Sequence, residues 1–361
     1  MKTLELAKKL IEFKTINNNN REFKNIYKFI KTYIHKINKN LYIEAFESNK
    51  YESVLITPIK DKRKFELLLA GHIDVVPAPD KLFKPKIKAG KLIGRGAADM
   101  KSAVAIMLNS FKNNDNQSLL LTSDEEIGGA NGVKYIIEKQ NLSSKCVFLP
   151  DGKPNWKIVL EEKGFYHCKF EAFGKSSHGA RPWLGKNAAD LCINFYQDLK
   201  SIFNKSYPIS ECEDDGNNSI SLGKIDGGEA TNQVPKNAEI LVDFRFNSKV
   251  GKEGMEKFIQ KVLDKHPSIK LKTSSFGETM KVNKTSKYIK RLENILKEEK
   301  IDYGFQKEAG ASDARHFPKD TDVVMLLPTG GNTHEDNEWI DIKEFDKFEK
   351  VVNQYIKTFC A

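Results

Sequence analysis

The run Phe65-Glu66-Leu67-Leu68-Leu69-Ala70-Gly71-His72-Ile73-Asp74 carries the reading of the fold. Its apolar stretch is short and bounded by turn residues, which predicts a strand buried on both faces, the kind found in parallel sheets. Three other runs share this character, at 118–121, 146–149 and 323–327. Helical patterns lie between them, for example at 102–111 and 132–139. This alternation predicts an α/β fold with an open, mostly parallel sheet flanked by helices. Before the first strand, Leu4, Ala7, Leu10 and Ile11 form the apolar stripe of a helix with Thr3 as its N-cap, and a second amphipathic helix is expected over 21–37.

The middle of the chain reads differently. A strand at 165–173 is followed by a helix at 187–203, with Ala188, Leu191, Phe195 and Leu199 on one side. Strands at 219–222 and 239–246 and a helix at 255–263 come next. This order predicts a small α+β domain, 163–276, inserted into a larger domain made of 1–162 and 277–361. Two domains also suit the length, 361 residues, because single cores seldom grow that large.

Hydrophobic residues at 39% and charged residues at 30% suit a soluble globular protein. The formal net charge is +10, but the lysines are scattered and no basic block alternates with aromatics. A solvated lysine-rich surface is therefore expected, and no nucleic-acid partner. Cys146, Cys168, Cys192, Cys212 and Cys360 form no C-x-x-C pair and are odd in number, which argues against a disulfide framework or a cysteine-rich zinc site and fits a reducing cytosol. The N-terminal stretch has no apolar signal-like core, and no run is long enough to span a bilayer, so the expected location is cytoplasmic, without a membrane partner.

In open α/β sheets, ligands sit at the carboxyl ends of the strands. Each of the four runs leads there into acids or histidine. The first reaches His72 and Asp74, the second Asp124, Glu125 and Glu126, the third Asp151, and the fourth, through a glycine-rich turn, His334. Asp99 stands just before a helix. Any one of these alone reads as an ordinary structural histidine, surface acid or helix cap; their shared location changes the odds. Carboxylates and imidazoles packed so closely repel and resist desolvation, and divalent cations resolve the conflict. The donor set suits two metal ions, zinc foremost, with cobalt or manganese acceptable. Asp74, two residues after His72, points the same way along an extended chain and can accept the second ring N–H. Adjacent Glu125 and Glu126 suit a division of labour. One binds metal, while Glu125 acts as general base on a water held between the metals and delivers its proton to the leaving amine. Gly174-Lys175-Ser176 lacks the earlier glycine of a phosphate loop, and His334-Glu335 lacks the second histidine of a zincin helix, which would fall at Glu338.

The motifs Gly71-His72-Ile73-Asp74-Val75-Val76-Pro77, Gly94-Arg95-Gly96-Ala97-Ala98-Asp99-Met100-Lys101, Thr122-Ser123-Asp124-Glu125-Glu126, Ser177-His178-Gly179-Ala180-Arg181-Pro182 and the late His334 resemble, in this order, a family of dinuclear zinc amidohydrolases and exopeptidases. That family includes succinyl-diaminopimelate desuccinylase, acetylornithine deacetylase, aminoacylase, glutamate carboxypeptidase and several dipeptidases. The resemblance implies that His72 and Glu126, His334 and Asp151 divide between two metals, with Asp99 bridging and Glu125 as base. It implies a zinc-exopeptidase-like fold whose inserted domain is a lid and, in many relatives, the contact of a homodimer. His178 looks like the lid histidine that binds the substrate's carbonyl oxygen, in cis or from a neighbouring subunit. Asn232 and Arg245 match positions that contact substrate in relatives, and Arg245 suits bidentate capture of a carboxylate, against the plainer reading of a surface strand arginine. Ser312 and Arg315 lie in a stretch, Gly310-Ala311-Ser312-Asp313-Ala314-Arg315, that resembles a family loop near the substrate's free carboxylate.

The implied activity is hydrolysis of an amide bond in a small carboxylate-bearing substrate, a short peptide or N-acyl amino acid. The first half looks like succinyl-diaminopimelate desuccinylase of lysine biosynthesis. That enzyme usually has a glutamate followed by Pro-Ser-Ser where this chain has Asp151-Gly152-Lys153-Pro154, and aspartate at that position is more typical of peptidase-like members. A non-catalytic metal-binding scaffold is the alternative of another class, and retention of Glu125 beside the full ligand set argues against it.

Overall fold

A computed structural model of the protein describes residues 1–209 and 216–359. Within it the chain divides into two compact units. The larger comprises Met1–Leu160, Lys281–Gln306 and Ser312–Ala361; the smaller comprises Glu161–Met280 with a returning segment, Lys307–Ala311.

The larger unit is built on a six-stranded sheet in the order Tyr42–Ser48, Tyr51–Thr57, Leu119–Thr122, Lys64–His72, Ser143–Phe148, Asp322–Val324. The last four in that order are the strands expected from sequence, and every pairing among them is parallel. Their apolar runs are explained by burial on both faces; all four residues of Leu119–Thr122 are buried. Between strands the chain passes through helices. Lys101–Ser110 is the most central of these, with each of its ten residues buried.

The first two strands form an antiparallel hairpin that joins the sheet beside Leu119–Thr122, a feature the sequence reading did not include. Its signal was the two-residue link Asn49-Lys50, where both residues take positive φ, 47° and 74°, as a tight hairpin turn requires. Asn-Lys carries that turn less visibly than Asn-Gly does. The first helix runs Thr3–Ile11, and Thr3 is not its N-cap: Lys2 holds that position without a side-chain cap. The Thr3 hydroxyl is drawn inward instead, donating to Glu349 and accepting from Asn109 Nδ2.

A second, small sheet positions the site. Its order is Gly330–Gly331, Trp339–Asp341, Lys91–Ile93, Lys86–Lys88. Pairing of Trp339 with Ile93 brings the segment that carries His334 beside the one that leads into Asp99.

The smaller unit is a four-stranded antiparallel sheet in the order Ser219–Gly227, Asn237–Phe246, Gly164–Phe173, Ile269–Gly277. Helices Ala188–Ser206 and Gly251–Leu263 share its core, where Phe170, Phe195, Phe203 and Phe244 are buried. Alternate residues of Gly164–Phe173 are buried, as expected for a strand covered on one face. Asn187 caps the first of these helices by accepting from the amides of Ala189 and Asp190.

Cys146, Cys168 and Cys192 are free and buried; Cys212 and Cys360 lie outside the described residues. Among the described residues no helix is long and apolar enough to cross a membrane.

Candidate metal centre

The three adjacent parallel strands end together. His72 is the last residue of its strand and pairs with Thr122; Glu125 and Glu126 follow in a short 3-10 turn, Glu125–Ile127; Asp151 follows the third strand. Asp99 comes from the loop before the central helix and His334 from the turn between the two short strands of the small sheet.

Asp99 is the centre of the cluster. Its Oδ1 lies 3.1 Å from Nε2 of His72 and its Oδ2 lies 3.1 Å from Nε2 of His334. His334 Nε2 also faces Glu126 Oε2 at 3.2 Å, and His72 Nε2 faces Glu125 Oε2 at 4.0 Å. Three sets of potential ligand atoms lie within 4.8 Å of one another: His72, Asp99 and Asp151; Asp99, Glu126 and His334; and His72, Glu125 and Glu126. Asp99 belongs to the first two, which pair His72 with Asp151 and His334 with Glu126 across the shared carboxylate. Two ligands bound at zinc–nitrogen and zinc–oxygen lengths with tetrahedral angles sit about 3.4 Å apart, close to these separations.

The ring of His72 is oriented from behind. Nδ1 lies 3.1 Å from the main-chain carbonyl of Asp74 and 3.5 Å from its carboxylate Oδ1. The nearer acceptor is thus the carbonyl, because the chain turns after His72 and leaves its extended path. With its proton on Nδ1, the ring would offer a metal the Nε2 lone pair in place of the proton that Nε2 shares with Asp99. The Asp74 carboxylate does a second job that spacing did not reveal: Oδ2 accepts the amide of Glu126 at 2.9 Å and so holds the turn that carries both glutamates.

The electrostatics are those of a crowded pocket in which carboxylates outnumber imidazoles. Burial pushes the Glu125 carboxyl well above its ordinary range; neighbouring His72 opposes this, while Asp151, Asp313 and Asp99 add to it. Burial, reinforced by Asp99, pushes Asp151 up to about 7. Asp99 goes the other way: burial alone would raise it, but hydrogen bonds from His334 and His72 hold it below the usual carboxylate range. His334 is pushed up to about 10 by its bonds to Asp99 and Glu126. The imidazoles act as stand-in cations for the carboxylates, and a bound divalent ion would take over that role. Asp124 Oδ1 and Asp313 Oδ1, close by, are buried without a hydrogen-bond partner. The residues present fit a divalent metal.

Ser312 and Arg315, expected near a substrate carboxylate, are both buried and engaged in framework bonds. The Ser312 hydroxyl accepts from the amide of Ala314, and Arg315 Nη2 donates to the carbonyl of Gly128 at 2.8 Å. His316 Nε2 donates to the same carbonyl at 3.0 Å, so these two side chains brace the end of the turn carrying Glu125 and Glu126. Within the smaller unit, His178 and Asn232 lie on two segments that hydrogen-bond together: the Gly179 amide donates to the carbonyl of Asn232 at 2.6 Å, and that of Val234 to Ser177 at 2.9 Å. Both His178 and Asn232 are exposed. Arg245 points its Nε at both carboxylate oxygens of Asp243, each at 3.1 Å, and its guanidinium lies over the ring of Phe165.

Sequence reasoning passed over Glu338, whose side chain is fully buried against the loop bearing Asp99. Its only signal was position, four residues after a candidate ligand.

The profile of Peptidase family M20/M25/M40 matches residues 68–358. The chain belongs to this family. It is a metal-dependent hydrolase of the peptidase and deacylase type. A succinyl-diaminopimelate desuccinylase from Helicobacter pylori (strain P12) is 30% identical over 97% of this chain and 97% of its own length. Another, from Pelagibacter ubique (strain HTCC1062), is 29% identical over 81% of this chain and 82% of its own. Among solved structures, a tripeptidase from Staphylococcus aureus superposes with a TM-score of 0.78 at 18% identity, covering 99% of this chain and 97% of its own. An M20 family metallo-carboxypeptidase from Sulfolobus solfataricus gives a TM-score of 0.78 at 17% identity, covering 99% of both chains. At these identities the two structures share the fold.

Proposed function

We propose that the chain holds two divalent cations, zinc foremost, and hydrolyses the amide bond of a short peptide or N-acyl amino acid with a free carboxylate. The observation that carries this reading is Asp99 between His72 and His334, one carboxylate oxygen toward each imidazole. In it, His72 and Asp151 hold one cation, His334 and Glu126 the other, and Asp99 both. Bound there, divalent cations lower the pKa of water and stabilise negative charge developing on a carbonyl oxygen.

The protein's own groups do the rest. Glu125 binds no cation; its carboxylate takes a proton from the attacking water and returns it to the departing nitrogen. A base for this work needs a pKa near the working pH; without a cation, burial moves Glu125 upward from the ordinary carboxyl range, and bound cations would draw it back down. Asp74 orients His72 and, through the Glu126 amide, keeps the two glutamates in their separate roles. His178 donates to the substrate's carbonyl oxygen, Asn232 assists it, and Arg245 takes the free carboxylate in exchange for Asp243. Ser312 and Arg315 lie beside the substrate's free carboxylate; Arg315 also holds the Gly128 carbonyl, and Ser312 caps the short turn that carries Arg315.

Cytoplasmic location is part of the same reading, supported by the free, buried thiols of Cys146, Cys168 and Cys192. So is a homodimer through the smaller unit, which serves as lid. Its edge strand, Ser219–Gly227, ends in five exposed residues, and an edge of this kind favours a covering partner.

A second reading, succinyl-diaminopimelate desuccinylase, is favoured by the names of the curated relatives. Asp151-Gly152-Lys153-Pro154 favours the peptidase-like reading. Both are tested by chelating the protein, restoring zinc or cobalt, and assaying N-succinyl-diaminopimelate, N-acetyl amino acids and dipeptides with wild type and Glu125→Ala. Metal-dependent turnover that vanishes in the variant supports the mechanism, and the best substrate separates the two readings. A wild type that binds no metal overturns both.

A further inference from the structure

Residues 94–100 form neither helix nor strand, so their amides need partners from elsewhere in the chain. Three of them find the same side chain. The amides of Gly96, Ala98 and Asp99 all donate to the carboxylate of Glu338, at 3.0 Å to Oε2, 2.8 Å to Oε1 and 3.0 Å to Oε1 respectively. Arg95 Nη1 donates to Oε2 at 2.6 Å, and its Nη2 reaches the carbonyl of Glu335 at 3.3 Å. The Gly94 amide donates to the main-chain carbonyl of Glu338 at 3.0 Å. Glu338 stands four residues after His334. A single buried carboxylate therefore ties the segment bearing one candidate ligand to the backbone of the loop bearing the bridging one.

We infer that Glu338 is a positioning residue: it sets the carboxylate of Asp99 against His72 and His334. The inference rests on the proposed metal centre. Both of its oxygens are occupied by N–H donors, so a neutral amide in its place would turn an NH2 group toward an N–H that has nothing to accept it. Burial raises the pKa of this carboxyl, the three amide hydrogen bonds oppose that rise, and Arg95 pairs with it at 2.6 Å. The Asp99 loop would then relax, and both cation sites, which share Asp99, would lose their geometry together. A clamp that only stabilised the fold would lower the melting temperature and leave bound metal unchanged.

The test compares wild type with Glu338→Gln, each stripped of metal and titrated with cobalt(II), reading stepwise affinity by calorimetry and ligand geometry from the visible absorption spectrum. Wild-type protein that binds cobalt at two sites, with affinity at least about tenfold lower and an altered spectrum in the variant, supports the inference. A folded variant with wild-type affinity and spectrum overturns it and leaves the metal centre standing. Wild type that binds no cobalt overturns the metal-centre reading itself. If circular dichroism shows Glu338→Gln unfolded, Glu338→Asp, whose shortened carboxylate cannot reach all three amides, is read by the same criteria.

Discussion

Asp99 and His334 meet at 3.1 Å across 235 positions of sequence, and the same carboxylate meets His72 at 3.1 Å on its other oxygen. One side chain thus stands between two imidazoles delivered by different parts of the chain.

Glu125→Gln keeps the shape of the side chain and removes its ability to take a proton. Steady-state turnover should fall by about 10²- to 10⁴-fold, the range for loss of a general base, while metal content measured by atomic absorption stays at the wild-type level. Parallel loss of metal and turnover would instead make Glu125 a ligand.

Cation uptake should release protons. Without a cation, His334 carries its proton up to about pH 10 and Asp151 up to about 7, and a metal must displace both. Apparent affinity therefore rises with pH across the neutral range, and calorimetry in buffers of different ionisation enthalpy should show protons released. Stability of the metal-free protein runs the opposite way for His334. A histidine whose pKa is raised on folding contributes fully below its unfolded value, about 6.5. That contribution is lost as pH climbs through about 10.

Gly129→Ala should damage the turn that carries both glutamates. The backbone there has φ of +66°, and a new Cβ would come 2.1 Å from Asp313 Oδ1. Left-handed strain and collision with a buried carboxylate should together destabilise the protein by about 1–3 kcal/mol, read as a lower melting temperature, with weaker metal binding.

His178→Ala should lower kcat and leave cation affinity unchanged, since the histidine lies in the smaller unit, outside the candidate ligand set. Activity regained on mixing His178→Ala with Glu125→Ala protein would show that the histidine serves a neighbouring subunit. No regain, with exchange of subunits verified, would place it in cis.

Much of this was legible in the chain alone. The parallel strands announced themselves because burial on both faces demands apolar residues throughout, and an acid or histidine after each marked the sheet edge where ligands collect. His72, Glu125, Glu126 and Asp151 follow their strands within a few residues, so local order was enough to place them at that edge. The hairpin Tyr42–Thr57 escaped because half of it is an exposed edge strand and its turn, Asn49-Lys50, lacks glycine.

What tertiary structure decided were the relations that have no period and no fixed spacing. That Asp99 turns one oxygen toward each imidazole at 3.1 Å, that the Asp74 carbonyl lies nearer His72 than its carboxylate does, and that Arg315 braces Gly128 all depend on where loops return. Glu338 is the clearest case: four residues after His334 it reads as one more surface acid, and only the folded chain brings three amides and an arginine to its carboxylate. Sequence sets which groups follow a strand, because that is local chemistry; which unpaired donors a buried side chain must satisfy is a property of the packed interior.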